Sequence, residues 1–252
     1  MPTTETEIRS RIDQLLDVDP TDRVAFLGTQ YDLGLAWVHF PVGSGGLDAD
    51  RDLQGIVHQA VVAVDGPQPR YDIGYGMAAP TIAACGTPEQ HARWLRPLFT
   101  SEEIWCQLFS EPGAGSDVAG LSTRAVADGD EWVVNGQKVW TSNAHMARWG
   151  LLVTRTDPDA PKHRGLTYFA VDLEQPGVEI RPLRQLTGQA EFNEIYLTDA
   201  RVAEADRMGD VGDGWRVALT TLMNERVAIG GETRSSAKGT IDWVLEAWRD
   251  HG

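Results

Sequence analysis

Two closely spaced turn signals, Asp128-Gly129 and Asn135-Gly136, most constrain what this chain can fold into. Both dipeptides tolerate the positive φ of tight β-turns, so each predicts a hairpin. They divide the stretch into short strands at roughly 121–127, 131–134 and 137–142. Further strand-like runs follow at Leu151–Arg155, Leu166–Asp172, Val178–Leu183 and Phe192–Leu197, separated by polar or Gly/Pro loops. Many short strands with frequent turns read as a compact antiparallel barrel or sandwich, here over residues 103–205.

The flanking regions read as helix, so the fold class is α+β. Residues 1–102 form a helical N-terminal domain. Thr4 and Glu7 have capping-box spacing, and Ile8, Ile12, Leu15 and Leu16 follow a helical stripe. Thr87-Pro88-Glu89-Gln90 is a cleaner start, with a Thr N-cap, Pro at the first helical position and Gln at the third. Between these, Phe40-Pro41 and Gly43 to Gly46 read as a loop. Residues 206–252 return to helix, with Trp215, Leu219, Leu222 and Ile229 on one stripe and a last helix at about Thr240–Trp248.

Composition excludes several functions. The formal net charge of −15 opposes a broad nucleic-acid interface, which needs clustered cations to neutralise phosphates. A local pocket for an anionic cofactor is still compatible with it. Cys85 and Cys106 lack CxxC spacing and suit a reduced, cytoplasmic protein. The polar start MPTTETEIRSRIDQLL is no secretory signal. The longest uncharged stretch, Ile73 to Pro88, falls short of the ~20 residues a membrane span needs. The six His make no ligand spacing, so no metal is expected, and no GxSxG elbow occurs.

The run from Trp105 to Asn143 carries the chemistry. A strand ends in the Gly-rich turn Ser110 to Ser116, and the following strands deliver Trp140 and Ser142. An isolated Pro-Gly-Ala-Gly is most often only a tight turn. A dinucleotide-fold phosphate loop does not fit, because the spacing is Gly113-x-Gly115-x-x-x-x-Gly120 and no βαβ unit surrounds it. In an extended strand, residues two apart share a face, about 6.6–7 Å apart. An indole beside a hydroxyl suits a flat heteroaromatic ring with a polar edge, and free turn N–H groups suit its oxygens.

A second constellation is Asn224-Glu225-Arg226. Leu222, Glu225 and Ile229 are spaced i, i+3, i+7, which sets a carboxylate on or beside an apolar stripe. Burying it unpaired is costly, so it either finds a cation elsewhere or works as a general base. Both readings stay open at this level.

Two strings, FSEPGAGSDVAG (Phe109–Gly120) and NGQKVWTSN (Asn135–Asn143), resemble the flavin-binding signatures of the acyl-CoA dehydrogenase family. The resemblance extends over nearly the whole chain, ending in the first helices of an incomplete C-terminal bundle that continues in the family. It implies FAD as cofactor, with Gln107, Phe109, Ser110, Ser116, Trp140 and Ser142 around it. Trp140 would pack on the ring face opposite the substrate, and the Ser142 hydroxyl would sit at the flavin N5. It implies an acyl-CoA substrate touched by Ser116, Asn224 and Arg226. Glu225 matches the position where a subset of the family carries its catalytic base. The implied reaction is α,β-dehydrogenation to a trans-2-enoyl-CoA, with an electron-transfer flavoprotein as acceptor and a homo- or hetero-oligomer as assembly. The alternatives are a non-catalytic acyl-CoA- or flavin-binding subunit and an inactive fragment that needs a partner chain.

Overall fold

The computed structural model describes residues 3–70, 72–230, 245 and 247–249. Helices α1 (Glu5–Leu16), α2 (Arg23–Asp32), α3 (Gln54–Ala63), α4 (Ala79–Cys85) and α5 (Pro88–Thr100) come first. A π-helical turn, Ile73–Ala78, runs directly into α4. Strands follow as β1 (Trp105–Leu108), β2 (Arg124–Asp128), β3 (Glu131–Ser142) and β4 (Trp149–Arg155). The remaining four are β5 (Leu166–Asp172), β6 (Val178–Leu183), β7 (Phe192–Ala203) and β8 (Arg207–Met208). Helix α6 (Gly214–Gly230) comes next. Among the described residues no helix is long and apolar enough to cross a membrane.

The helix starts form as their residues dictate. Thr87 caps α5 with a full capping box, its hydroxyl accepting from the Gln90 amide while the Gln90 side chain accepts from the Thr87 N–H. The same Gln90 donates to the Ala205 and Arg207 carbonyls at 2.8 Å, so the cap also ties α5 to the β-region. In α1 the Thr4 hydroxyl accepts from Glu7 N. Ile8, Ile12 and Leu15 are buried there, while Leu16 turns outward.

The sheet order is β6-β7-β3-β2-β4-β5-β8, with β1 added on β4. Most pairs are antiparallel, as expected, but β1 runs parallel to β4, and β2 meets β4 in parallel at Arg124↔Arg155. The sheet is therefore mixed. Strand β1 arrives from the helical region without a hairpin partner, so nothing forces it to reverse against its neighbour.

Asp128-Gly129 makes the expected hairpin: Asp128 pairs with Glu131, and Gly129 takes a φ of +70°. Asn135-Gly136 does not. The segments on both sides of it pair with the same long strand β7, from Glu131↔Ala203 to Ser142↔Phe192. The chain runs on with an irregularity at this point rather than turning back. The Asn135 side chain exchanges two 2.9 Å hydrogen bonds with Asp199 there. A Cβ on Gly136 would lie 2.4 Å from Thr123 Oγ1. Glycine serves close approach here, not a turn.

Period-two alternation divides the β-region into two cores. Trp105, Leu151, Val153, Tyr168 and Ala170 face the helices, where Trp94, Leu98 and Phe99 meet them. Leu108, Leu152, Phe169 and Val171 face the other way, against Val134, Ile195 and Leu197. Strands β4 and β5 are covered on both faces, which is why they read as continuous apolar runs. Trp94, Trp105 and Trp149 pack ring to ring at 5.5–5.8 Å where the helices join the sheet.

Helix α6 keeps part of the expected stripe, with Trp215 and Leu222 packed against the core, but buries its small residues more deeply. Val217, Ala218 and Thr221 are fully covered, Trp215 and Leu222 are half-buried, and Leu219 is 42% exposed. The reason is polar. The Thr221 hydroxyl pairs with Thr81 at 3.0 Å and Tyr168 at 2.9 Å, which rotates the small residues of α6 inward onto α4 and β5. The side chain of Ile229 and most of the helix expected at Thr240–Trp248, including Ile241 and Val244, lie outside the described residues.

Candidate functional site

The end of β1 builds the first wall. Gln107 faces the helices, half-buried, and the chain then enters the Ser110–Ser116 turn. Glu111 N bonds Ala114 O at 2.8 Å and Ala114 N returns to Glu111 O at 3.1 Å, closing the turn around Pro112 and Gly113. Among the described residues the N–H groups of Gly113, Gly115 and Ser116 donate to nothing.

Behind this turn lies a buried ion pair that the sequence reading did not single out. Glu111 points inward, 6% exposed, and accepts from Ser122 N and Oγ at 2.7 Å and from Thr123 N at 2.9 Å. Lys138, fully buried, lies 2.9 Å from the same carboxylate and donates to the Phe109 carbonyl at 3.1 Å. Burial pushes the Glu111 pKa up, but the Lys138 charge and the Ser122 and Thr123 donors outweigh it and bring it to about 2. Burial pulls Lys138 down to about 8 against the opposing pull of Glu111. Both are therefore charged at neutral pH. A signal was present: Lys138 keeps the same strand parity as the buried Trp132 and Val134.

Trp140 and Ser142 come together by a different route from strand alternation. Lys138 pairs with Ile195 and Thr141 with Asn193, so Val139 and Trp140 together oppose Glu194 in a bulge. Trp140 takes a φ of +62° and remains 62% exposed. Phe192 braces it edge-on at 6.0 Å. Val139 N donates to Ser110 O at 2.9 Å, locking the bulge onto the turn.

Helix α6 and the π-helical turn make the facing wall. They approach so closely that a Cβ on Gly76 would sit 2.7 Å from Ala228 Cβ. Glu225, half-buried, accepts from Gln107 Nε2 at 3.3 Å. Among the described residues no cation pairs with its carboxylate. Gln107, Phe109, Ser110, Trp140, Ser142 and Glu225 line one cavity of about 260 Å³, joined by Ile73, Met77 and Val139. Phe109 is mostly core, edge-on to Tyr168 at 5.9 Å.

Three expected residues stand apart from this cavity. Ser116 is exposed on the turn, and Arg226 is exposed on α6. Asn224 lines a separate cavity of about 330 Å³ with Trp37, Tyr75 and Gly76. No metal-holding cluster forms among the described residues, and both cysteines are free thiols.

The cavity can hold a flat heteroaromatic group. It offers one indole that no other ring stacks on, and two hydroxyls, Ser110 and Ser142, with no partner among the described residues. A carboxylate faces it from another element.

Comparison with known proteins places the chain in a family. The family described as acyl-CoA dehydrogenase, N-terminal domain, matches residues 4–102, and acyl-CoA dehydrogenase, middle domain, matches residues 106–200. The chain is 51% identical over 204 residues to acyl-CoA dehydrogenase FadE34 of Mycobacterium tuberculosis, covering 80% of this chain and 28% of that protein. It is 45% identical over 193 residues to acyl-CoA dehydrogenase IpdE1 of the same organism, covering 77% and 50%. Among solved structures, the Tcur3481-Tcur3483 steroid ACAD superposes with a TM-score of 0.67 at 27% identity, covering 91% of this chain and 63% of that one. The ChsE4-ChsE5 complex from Mycobacterium tuberculosis gives 0.65 at 30% identity, covering 88% and 59%. The chain thus spans between about a quarter and a half of the two curated relatives.

Proposed function

Because the chain belongs to the acyl-CoA dehydrogenase family, we propose that its cavity serves FAD-dependent α,β-dehydrogenation of an acyl-CoA thioester, with Glu225 as base. The observation that carries this reading is the shared cavity, which sets the Glu225 carboxylate across from Ser110, Trp140 and Ser142. FAD, when bound, supplies the acceptor for the hydride that leaves the β-carbon. Trp140 would hold the ring by its open face, and Ser110 and Ser142 by their hydroxyls.

The remaining work falls to the protein. Glu225 takes the α-proton, which a neighbouring thioester makes weakly acidic. Its surroundings suit a base: half-buried, held by a neutral amide and unpaired with any cation among the described residues. The rigid sheet fixes the ring-binding side while α6 presents the carboxylate, so the two reacting partners meet in a set geometry. The steroid ACAD likeness supports a bulky, ring-bearing acyl group. An electron-transfer flavoprotein as the reoxidant follows from the family assignment alone.

A second reading has its own support. Leu219, Met223 and Val227 form an exposed apolar row along α6, and one structural neighbour is the ChsE4-ChsE5 complex. In that reading the chain binds flavin or acyl-CoA and completes a heteromer. Flavin absorbance decides between them. Bleaching of the bound oxidised flavin by straight-chain, branched or sterol-type thioesters supports the dehydrogenase, and the best substrate identifies the acyl class. Flavin retained without bleaching supports the non-catalytic subunit. Wild-type bleaching in Glu225→Gln removes Glu225 from the base role.

A further inference from the structure

We propose that Gln107 is the positioning residue for Glu225 rather than a ligand of the cofactor; this rests on the dehydrogenase reading. Its amide Nε2 donates to Glu225 Oε2 at 3.3 Å. The contact joins two elements of unequal rigidity. Strand β1 is paired residue by residue with β4, with Gln107 opposite Leu151, and its neighbours Cys106 and Leu108 are fully buried. Around Glu225, by contrast, Met223 and Val227 are 60% and 50% exposed and Arg226 is also exposed. A carboxylate on a long side chain at such a site samples several rotamers unless something fixes it. Gln107 anchors it to the sheet that carries the rest of the cavity.

The chemistry of the donor matters as much as its reach. A Lys or Arg at this place would hold the carboxylate too, but its charge would favour the ionised form and make Glu225 a weaker base. A neutral amide orients with a smaller effect on basicity. It also engages one oxygen only: among the described residues Oε1 accepts no hydrogen bond. Oε1 is therefore the atom left to receive the α-proton. Once it does, Oε2 becomes the carbonyl oxygen and still accepts from Gln107, so the contact survives proton transfer.

Gln107→Met, which keeps the length and removes the donor, tests this in the FAD-loaded full chain. The expected result is a fall in kcat of roughly 10- to 100-fold, the scale of a misplaced reacting group, with KM and the FAD dissociation constant within about threefold of wild type. Placed in a Glu225→Gln background, Gln107→Met should lower the residual rate less than about twofold, because residues acting as one unit are not additive. In the FAD-free chain, the Gln107 side-chain amide NMR signal should move on Glu225→Ala. A tenfold weaker FAD affinity in Gln107→Met, an equal fall in both backgrounds, or an unmoved amide signal overturns the inference. If Glu225→Gln abolishes bleaching while Gln107→Met keeps full kcat, only the positioning role is lost. If Glu225→Gln itself bleaches normally, the base assignment fails with it.

Discussion

The ammonium of Lys138 lies 2.9 Å from the carboxylate of Glu111, with both side chains sealed from water. This pair fixes the back of the Ser110–Ser116 turn, because Lys138 also holds the Phe109 carbonyl and Glu111 holds Ser122 and Thr123. Removing one partner leaves an uncompensated buried charge, at a cost of about 3–5 kcal/mol. Glu111→Gln should lose that much unfolding free energy in urea at neutral pH. Adding Lys138→Met should recover part of it, since the single Gln carbonyl oxygen can still accept from Ser122, while its NH2 group faces the Thr123 N–H and the Phe109 carbonyl loses its donor.

The same pair sets an acid limb. The folded pKa of Glu111, about 2, lies below its ordinary 4.5. A depressed carboxylate contributes stability above its unfolded pKa, and that contribution disappears as pH falls toward the folded value. Urea midpoints of the wild type should therefore drop between about pH 4.5 and 2. The drop in that window should be smaller in the Glu111→Gln/Lys138→Met double variant.

Trp140 holds a left-handed backbone while most of its indole is exposed. For a residue with a Cβ that conformation costs about 1–2 kcal/mol, and its edge contact with Phe192 returns about 0.5–1.5 kcal/mol. Trp140→Gly should thus change unfolding free energy by less than about 1 kcal/mol, well under the ~3–5 kcal/mol of emptying a buried Trp site. FAD binding should weaken roughly tenfold, the scale of one lost stacking contact. Urea unfolding and a flavin fluorescence titration check the two halves. A large stability loss with unchanged flavin affinity would make Trp140 merely structural.

Much of this arrangement is legible in the sequence. Capping residues and period-two runs are local signals, so Thr87, Asp128-Gly129 and the bounds of β5 and β6 followed from short stretches of chain. The Asn135-Gly136 reading failed because a turn signal is also local, and the continuous partner β7 overrode it. The stripe of α6 holds at Trp215 and Leu222 but not at Leu219, because a hydroxyl network with Thr81 and Tyr168, distant in sequence, turns the small residues inward. Trp140 and Ser142 do meet in one cavity, but through a bulge that no alternation rule contains. Grouping the motifs was possible from sequence; the device that aims each side chain was not.

That hydroxyl network makes its own prediction. Thr221 Oγ1 sits between Thr81 and Tyr168 with all three residues fully buried. Burial keeps the Tyr168 phenol well above its ordinary pKa, so it stays protonated and able to donate. Thr221→Val keeps the volume and strands the Tyr168 hydroxyl, while Thr81 keeps its 2.7 Å bond to the Met77 carbonyl, at a cost of about 1–3 kcal/mol. Adding Tyr168→Phe removes the stranded group and should restore part of the loss. Two single losses that simply add would mean the hydroxyls act independently.

Gly76 sets how near α6 stands to the π-helical turn beside the cavity. In an ordinary exposed helix, Gly→Ala stabilises by about 1 kcal/mol. Here the new Cβ would meet Ala228 Cβ at 2.7 Å, closer than two carbons can approach, so the sign should reverse. Gly76→Ala should destabilise by about 1–3 kcal/mol through overpacking. It should also push the Glu225 turn of α6 away from Gln107, lowering kcat for flavin bleaching. Ala228→Gly removes the opposing methyl and should restore the rate in the double variant, although glycine within α6 still costs about 1 kcal/mol. Stability and rate then separate: rescue of bleaching without full rescue of the urea midpoint is the expected result. A double variant as slow as Gly76→Ala alone would show that the Gly76–Ala228 contact does not place the base.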